Sequence, residues 1–176
     1  MLKQFTTGRV AVFIDAANVF YAQKDLGWDI SYGRLKSYLG KECDVSGMYI
    51  YTAIDPNNVR QTRFIEKLRS LGFVVVTRRI KKIRGPSERP ILKGNVDTEL
   101  SMGMLDNIDH YDTAVLMSGD SDFAPVIDRI RSLGKKIIVM STKKHVSREL
   151  LDRAKYINLK KLMDEIGFGN KPCNKP

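Results

Sequence analysis

Apolar positions along this chain fall into short continuous runs separated by longer stripes at helical spacing. Residues 9–14 (Arg-Val-Ala-Val-Phe-Ile), after the opening Arg9, and 114–117 (Ala-Val-Leu-Met) are unbroken apolar runs, the pattern of strands covered on both faces. Residues 45–54 alternate apolar positions with Ser, Tyr and Thr and predict another strand. Further strands are predicted over 73–77 and 135–140, with a short last one over 156–159. Between these runs the period changes. Over 57–71, Phe64, Ile65, Leu68 and Leu71 recur at helical spacing, with Gly72 as the stop. Over 96–108, Val96, Leu100, Met104 and Ile108 form one stripe, and beyond residue 122 Phe123, Val126, Ile127 and Ile130 form another. Helices are also predicted from Ala16, over 31–39 (Leu35, Tyr38 and Leu39 inward), over 147–154, and up to Ile166. Alternating strand and helix predicts an α/β sandwich around a parallel sheet. Residues 1–166 read as a single domain and 167–176 as a C-terminal tail, since no repeat or linker divides the chain.

Acidic residues sit where such sheets place their sites, just past the carboxyl ends of strands. Asp15 ends the first run and Asp120 follows the run at 114–117. Pro125 has no N–H to give, so it belongs among the first residues of its helix. That spacing predicts Asp122 as the N-cap and leaves Asp120 in the preceding turn. Asp97 falls in the first turn of the 96–108 helix. Taken singly, each has a plain explanation: Asp122 as a cap, Asp120 as a turn residue, Asp97 as a complement to the helix dipole. Convergence changes the argument. Two carboxylates about 4 Å apart repel by about 4 kcal/mol at an effective dielectric near 20. A hard divalent cation, Mg²⁺ or Mn²⁺, removes that penalty and takes this oxygen set.

Charge adds a partner. The 176 residues carry 30 Lys and Arg against 20 Asp and Glu, a net +10, which points to a polyanion such as RNA, single-stranded or structured. Arg78, Arg79, Lys81, Lys82, Arg84 and Lys93 crowd one stretch, over 78–93, that Gly85, Pro86 and Pro90 mark as a loop or loose hairpin. Charge runs are usually solvated faces. This one immediately precedes Asp97, which favours phosphate binding. A metal-assisted attack on a phosphodiester fits acids beside such a run. His110 and His145 have no ligand or base spacing, which argues against zinc or serine-triad catalysis. Cys43 and Cys173 are far apart and in no redox or zinc spacing, so a reduced, cytoplasmic setting is expected. No apolar run reaches the roughly 20 residues that span a bilayer, and the first residues lack the apolar core of a signal peptide. The sequence leaves the oligomeric state open, a homo-oligomer included.

Three motifs in order carry a resemblance: Phe13-Ile-Asp-Ala-Ala-Asn18, Lys93-Gly-Asn-Val-Asp97 and Ser118-Gly-Asp-Ser-Asp-Phe123. Together they resemble the NYN domains, in the LabA-like branch, over nearly all of residues 9–159. The resemblance implies a PIN-like three-layer sandwich with a mostly parallel central sheet flanked by helices. It also implies a metal-dependent ribonuclease site. The family's acids fall on Asp15, Asp97, Asp120 and Asp122, the first three as metal ligands for Mg²⁺ or Mn²⁺, with Asn18 and Ser118 as polar support. Two positions depart from the family's pattern. Gly103 stands where a second Asp is frequent, which bears on a second metal, and Ala154-Lys155 stands where Ala-Asp is common. Glu99 and Asp106 do not share the angular position of residue 103. A competing reading is therefore an RNA-binding regulatory module with the same fold and little or no catalysis. A small-molecule phosphohydrolase fits less well, because no Gly-rich phosphate cradle is present.

Overall fold

The computed structural model describes residues 1–83, 91–93 and 95–168, with the backbone alone at 81–83 and 91–93. Its first half contains β1 (Arg9–Asp15), α1 (Ala16–Leu26), β2 (Asp29–Ile30), α2 (Tyr32–Glu42), β3 (Asp44–Ile54), α3 (Val59–Ser70) and β4 (Val74–Arg79). Then come β5 (Lys81–Ile83), β6 (Ile91–Lys93), α4 (Asp97–Asp106), β7 (Thr113–Met117), α5 (Ala124–Ser132) and β8 (Lys136–Ser141). The chain continues through α6 (Arg148–Leu151), β9 (Lys155–Asn158), α7 (Met163–Ile166) and β10 (Gly167–Phe168).

The six-stranded sheet has the order β4-β3-β1-β7-β8-β9, and every neighbouring pair in it is parallel. Its central strands read as unbroken apolar runs because both faces are covered. Val10, Val12 and Ile14 of β1 point into one core layer with Val115, Met117, Leu35, Leu39 and Leu68. Ala11 and Phe13 point into the other with Leu116, Leu100, Met104, Ile127 and Leu150. Helices α2 and α3 thus cover one face and α4, α5 and α6 the other, the three-layer arrangement of a PIN-like sandwich. Each buried Val, Leu or Ile side chain contributes about 1.5–3 kcal/mol.

Some elements differ from the periodicity, while the loose hairpin expected in the basic stretch has its paired strands. The helix expected over 147–154 stops at Leu151, because Lys155 must already be extended to stand level with Ile138 of β8. The stripe over 96–108 is broken after Asp106, where Asn107 leaves the helix and its side-chain amide donates back to the Gly103 carbonyl at 2.8 Å. The basic stretch after β4 folds into the antiparallel pair β5 and β6, with Lys81 level with Lys93. Residues 167–168, read as the start of a tail, pair antiparallel with β2. Among the described residues no helix is long and apolar enough to cross a membrane.

Candidate metal centre

Strands β3 and β4 lie to one side of β1, and β7, β8 and β9 to the other. The sheet therefore reverses its winding between β1 and β7, the topological switch point at which open α/β sheets leave a crevice at their carboxyl edge. Ile14 stands level with Met117, so the next residues, Asp15 and Ser118, leave the sheet side by side.

Asp15 is buried, 5% exposed, and caps α1. Its Oδ1 accepts from the amides of Ala17 and Asn18 at 3.1 Å each, and its Oδ2 accepts from the Ser118 hydroxyl at 3.1 Å. Burial pushes this carboxyl above its ordinary pKa, these hydrogen bonds oppose the rise, and the charge of Asp97 adds to it. The Ser118 oxygen in turn accepts from the Asp120 amide at 3.3 Å, and Asn18 Oδ1 accepts from the Gly119 amide at 3.0 Å. Across the loop, Gly119 offers its carbonyl to the Ser147 amide at 2.8 Å. A Cβ on Gly119 would lie 2.0 Å from the carbonyl oxygen of His145, so only glycine fits this close approach. Asn18 and Ser118 hold the turn on one side, and residues 145–147 hold it on the other.

The turn then differs from the spacing argument. Asp122 is not the cap. A single 3-10 turn, Ser121–Phe123, stands before α5, and Asp120 caps it by accepting from the Asp122 amide at 3.0 Å. Pro125 still sits in the first turn of α5, but that helix begins at Ala124 with Phe123 as its N-cap, one residue later than Asp122 as a cap requires. The extra turn leaves the Asp122 carboxylate free of capping. From the other direction, Asp97 begins α4, its amide donating to Asn95 Oδ1 at 3.0 Å. Asp97, Asp120 and Asp122 each present a carboxylate oxygen, all within 4.8 Å of one another. Burial raises the Asp97 pKa first; the Asn95 contact lowers it, and the charges of Asp120, Asp122 and Glu99 raise it further.

Chemically, this trio can hold a divalent cation. Its donors are hard oxygens only, Asp97 and Asp120 are half-buried, and Asp122 is open to solvent. Asp15 lies outside this group of mutually close oxygens and is linked to it through Ser118. Residue 103, where the family pattern offers another acid, packs against Tyr51. A Cβ there would lie 1.9 Å from the hydroxyl oxygen of Tyr51, which is 2% exposed, so the ring fills the place of any side chain.

Of the basic residues, Arg78 reaches the entrance of α4, donating to Glu99 Oε1 at 2.8 Å and to the Asn95 carbonyl at 3.3 Å. Arg79 is exposed at the end of β4. Lys81, Lys82 and Lys93 lie on β5 and β6, and Arg84 lies outside the described residues. Sequence reasoning missed Tyr32, whose hydroxyl is pushed well up by burial and then by the charge of Asp15. It also missed Glu99 as the partner of Arg78. Asn95 was visible as an Asx residue two before a helix start, a local signal that the periodicity did not use.

Comparison with known proteins gives the chain a family and a fold. Residues 9–160 match the family described as the NYN domain. The chain is 34% identical over 174 residues to the Low amplitude and bright protein LabA of Synechococcus elongatus, covering 96% of this chain and 92% of that protein. A crystal structure of a protein of unknown function from Vibrio parahaemolyticus superposes with a TM-score of 0.76 at 24% identity, over 92% of this chain and 96% of that one. That likeness is one of fold.

Proposed function

The chain belongs to the LabA-like family of NYN domain proteins, and from that premise we propose that it is a metal-dependent ribonuclease, a hydrolase of RNA phosphodiester bonds. The observation that carries the reading is the set of three carboxylate oxygens within 4.8 Å at the sheet's switch point. Such a cluster costs stability unless a cation joins it. Asp97, Asp120 and Asp122 would hold Mg²⁺ or Mn²⁺. Asp15 orients Ser118, and Ser118 orients the Asp120 backbone, so the fourth acid sets the loop from behind. When bound, such a cation supplies Lewis-acid polarisation of a phosphoryl oxygen and activates water. The protein's own part is to fix the carboxylates before substrate arrives: Asn18 and residues 145–147 clamp the loop, and Asn95 starts α4 at the right level. Arg78 and Arg79, with Lys81, Lys82, Arg84 and Lys93, supply the cationic approach for the phosphate chain.

The test is cleavage of labelled single-stranded and structured RNA with and without Mg²⁺ or Mn²⁺, beside Asp120→Asn. That change removes one charge with almost no change of shape. Cleavage is expected to fall by orders of magnitude while RNA binding in EDTA survives. A variant that cleaves as fast as wild type overturns the assignment. One observation favours a second reading, an RNA-binding module: Tyr51 occupies the space where a further acid would stand. Wild-type protein with no metal-stimulated cleavage of any RNA selects it.

A further inference from the structure

Helix α1 leaves the acidic centre from its cap, Asp15, and turns an aromatic face to solvent. Val19 and Ala22 anchor it in the core at 1% exposure each, whereas Phe20 and Tyr21 are 54% and 56% exposed. Their rings meet edge to face with centroids 5.7 Å apart. Lys24 Nζ lies 4.5 Å from the centroid of Phe20 and 5.1 Å from that of Tyr21. Bulky rings left in water forfeit about 25 cal/mol for each Å² of apolar area that burial would remove. At 1.5 Å per residue, the pair stands about 6–8 Å along the axis from the start of α1. Asn18, earlier on the same helix, holds the Gly119 amide, so the helix that carries the rings also clamps the loop that carries Asp120.

Area and charge together select the occupant. Two half-exposed rings offer roughly 200 Å², far below the ~800 Å² per partner of a stable protein interface. A single nucleobase needs no more than this, and the ammonium group beside the rings matches the phosphate that accompanies every base.

We propose that Phe20, Tyr21 and Lys24 form a stacking platform for an unpaired base of single-stranded RNA whose backbone passes over the Asp97, Asp120 and Asp122 centre. The identity of the polymer rests on the ribonuclease reading; the platform itself rests on the exposed rings. Duplex RNA keeps its bases inside the helix and cannot use the platform. The site therefore selects unpaired segments through base faces, with little preference among the four bases.

The experiment measures binding in EDTA by fluorescence anisotropy, with a labelled single-stranded RNA and an abasic oligomer of the same length and charge. Wild type is expected to bind the base-bearing strand more tightly than the abasic one. Phe20→Ala with Tyr21→Ala is expected to weaken the first by roughly 10- to 100-fold and leave the second unchanged. Phe20→Leu with Tyr21→Leu keeps apolar bulk without a π face and is expected to lose as much. Equal losses on both strands, no loss, or full retention by the leucine variant overturns the platform. So does a variant that changes the oligomeric state in sedimentation while RNA affinity stays the same. A platform that passes in EDTA, with no cleavage on adding metal, sinks the nuclease reading alone. Metal-stimulated cleavage without base dependence sinks only the platform.

Discussion

At the scale of the residue, close approach decides more than charge. Gly103 and Tyr51 are the clearest case. Helix propensity alone favours alanine over glycine by about 1 kcal/mol. Here the added Cβ meets the Tyr51 hydroxyl oxygen at 1.9 Å and the ring carbon behind it at 2.9 Å. Tyr51 is buried between sheet and helix, and burial pushes its pKa up to about 12. At 2% exposure it is enclosed by its neighbours. Gly103→Ala is therefore expected to destabilise by about 1–3 kcal/mol in urea melts despite the better propensity. Over a Tyr51→Phe background the same change should cost clearly less, because the closest colliding atom is gone. Equal costs in the two backgrounds would show that helix and sheet separate instead of clashing.

Among the elements, the insertion of one 3-10 turn converts Asp122 from a cap into a free carboxylate and Asp120 into the cap. A second elemental feature is the basic stretch that leaves β4 and returns as β5 and β6. Arg78 is partly spent in its ion pair with Glu99, at 47% and 35% side-chain exposure, so that pair is worth at most about 1 kcal/mol. The remaining cations carry the phosphate-binding prediction. Replacing Arg79, Lys81, Lys82 and Arg84 by Ala should weaken RNA binding and flatten the slope of log affinity against log salt by up to about 3–4. An unchanged slope would mean that the stretch is a solvated face. Phe64 of α3 belongs to the same scale: its stripe position predicts the interior, yet it is 39% exposed and meets Tyr32 edge-on at 5.5 Å.

For the molecule as a whole, metal binding and folding share one free energy, because the unfolded chain does not hold its acids together. Mg²⁺ or Mn²⁺ should raise the melting temperature at neutral pH. Asp15 and Asp97 both have pKa values raised above the ordinary carboxylate value, by burial first. In that window the unfolded chain has released protons that the metal-free fold retains, so metal-free stability falls as pH rises through it. Added metal, which binds the ionised acids, should therefore stabilise fully above the raised values and lose its effect as pH falls through them. Asp120→Asn should melt up to about 1 kcal/mol higher than wild type in EDTA at neutral pH, from relief of like charge. It should show little metal response. Thermal melts across pH with and without metal check both signs; a metal-induced rise that persists at low pH would place the ion elsewhere.

The sequence by itself determined the layers. Strands covered on both faces must be apolar at every position, and helices covered on one face must repeat near 3.6, so β1, β7, α4 and α5 are legible from periodicity alone. It also determined that acids end strands, and the ordered motifs singled out Asp15, Asp97, Asp120 and Asp122. Tertiary structure decided which oxygens meet. Asp97 and Asp120 are brought together by a crossover through β5, β6 and α4, and their separation depends on how whole elements pack, which no local period encodes. The same holds for Asp15, whose oxygens are taken by Ala17, Asn18 and Ser118, and for Arg78, whose partner Glu99 is 21 residues away. Periodicity reports which face a residue occupies; distances between faces arise only when the sheet closes over its two cores.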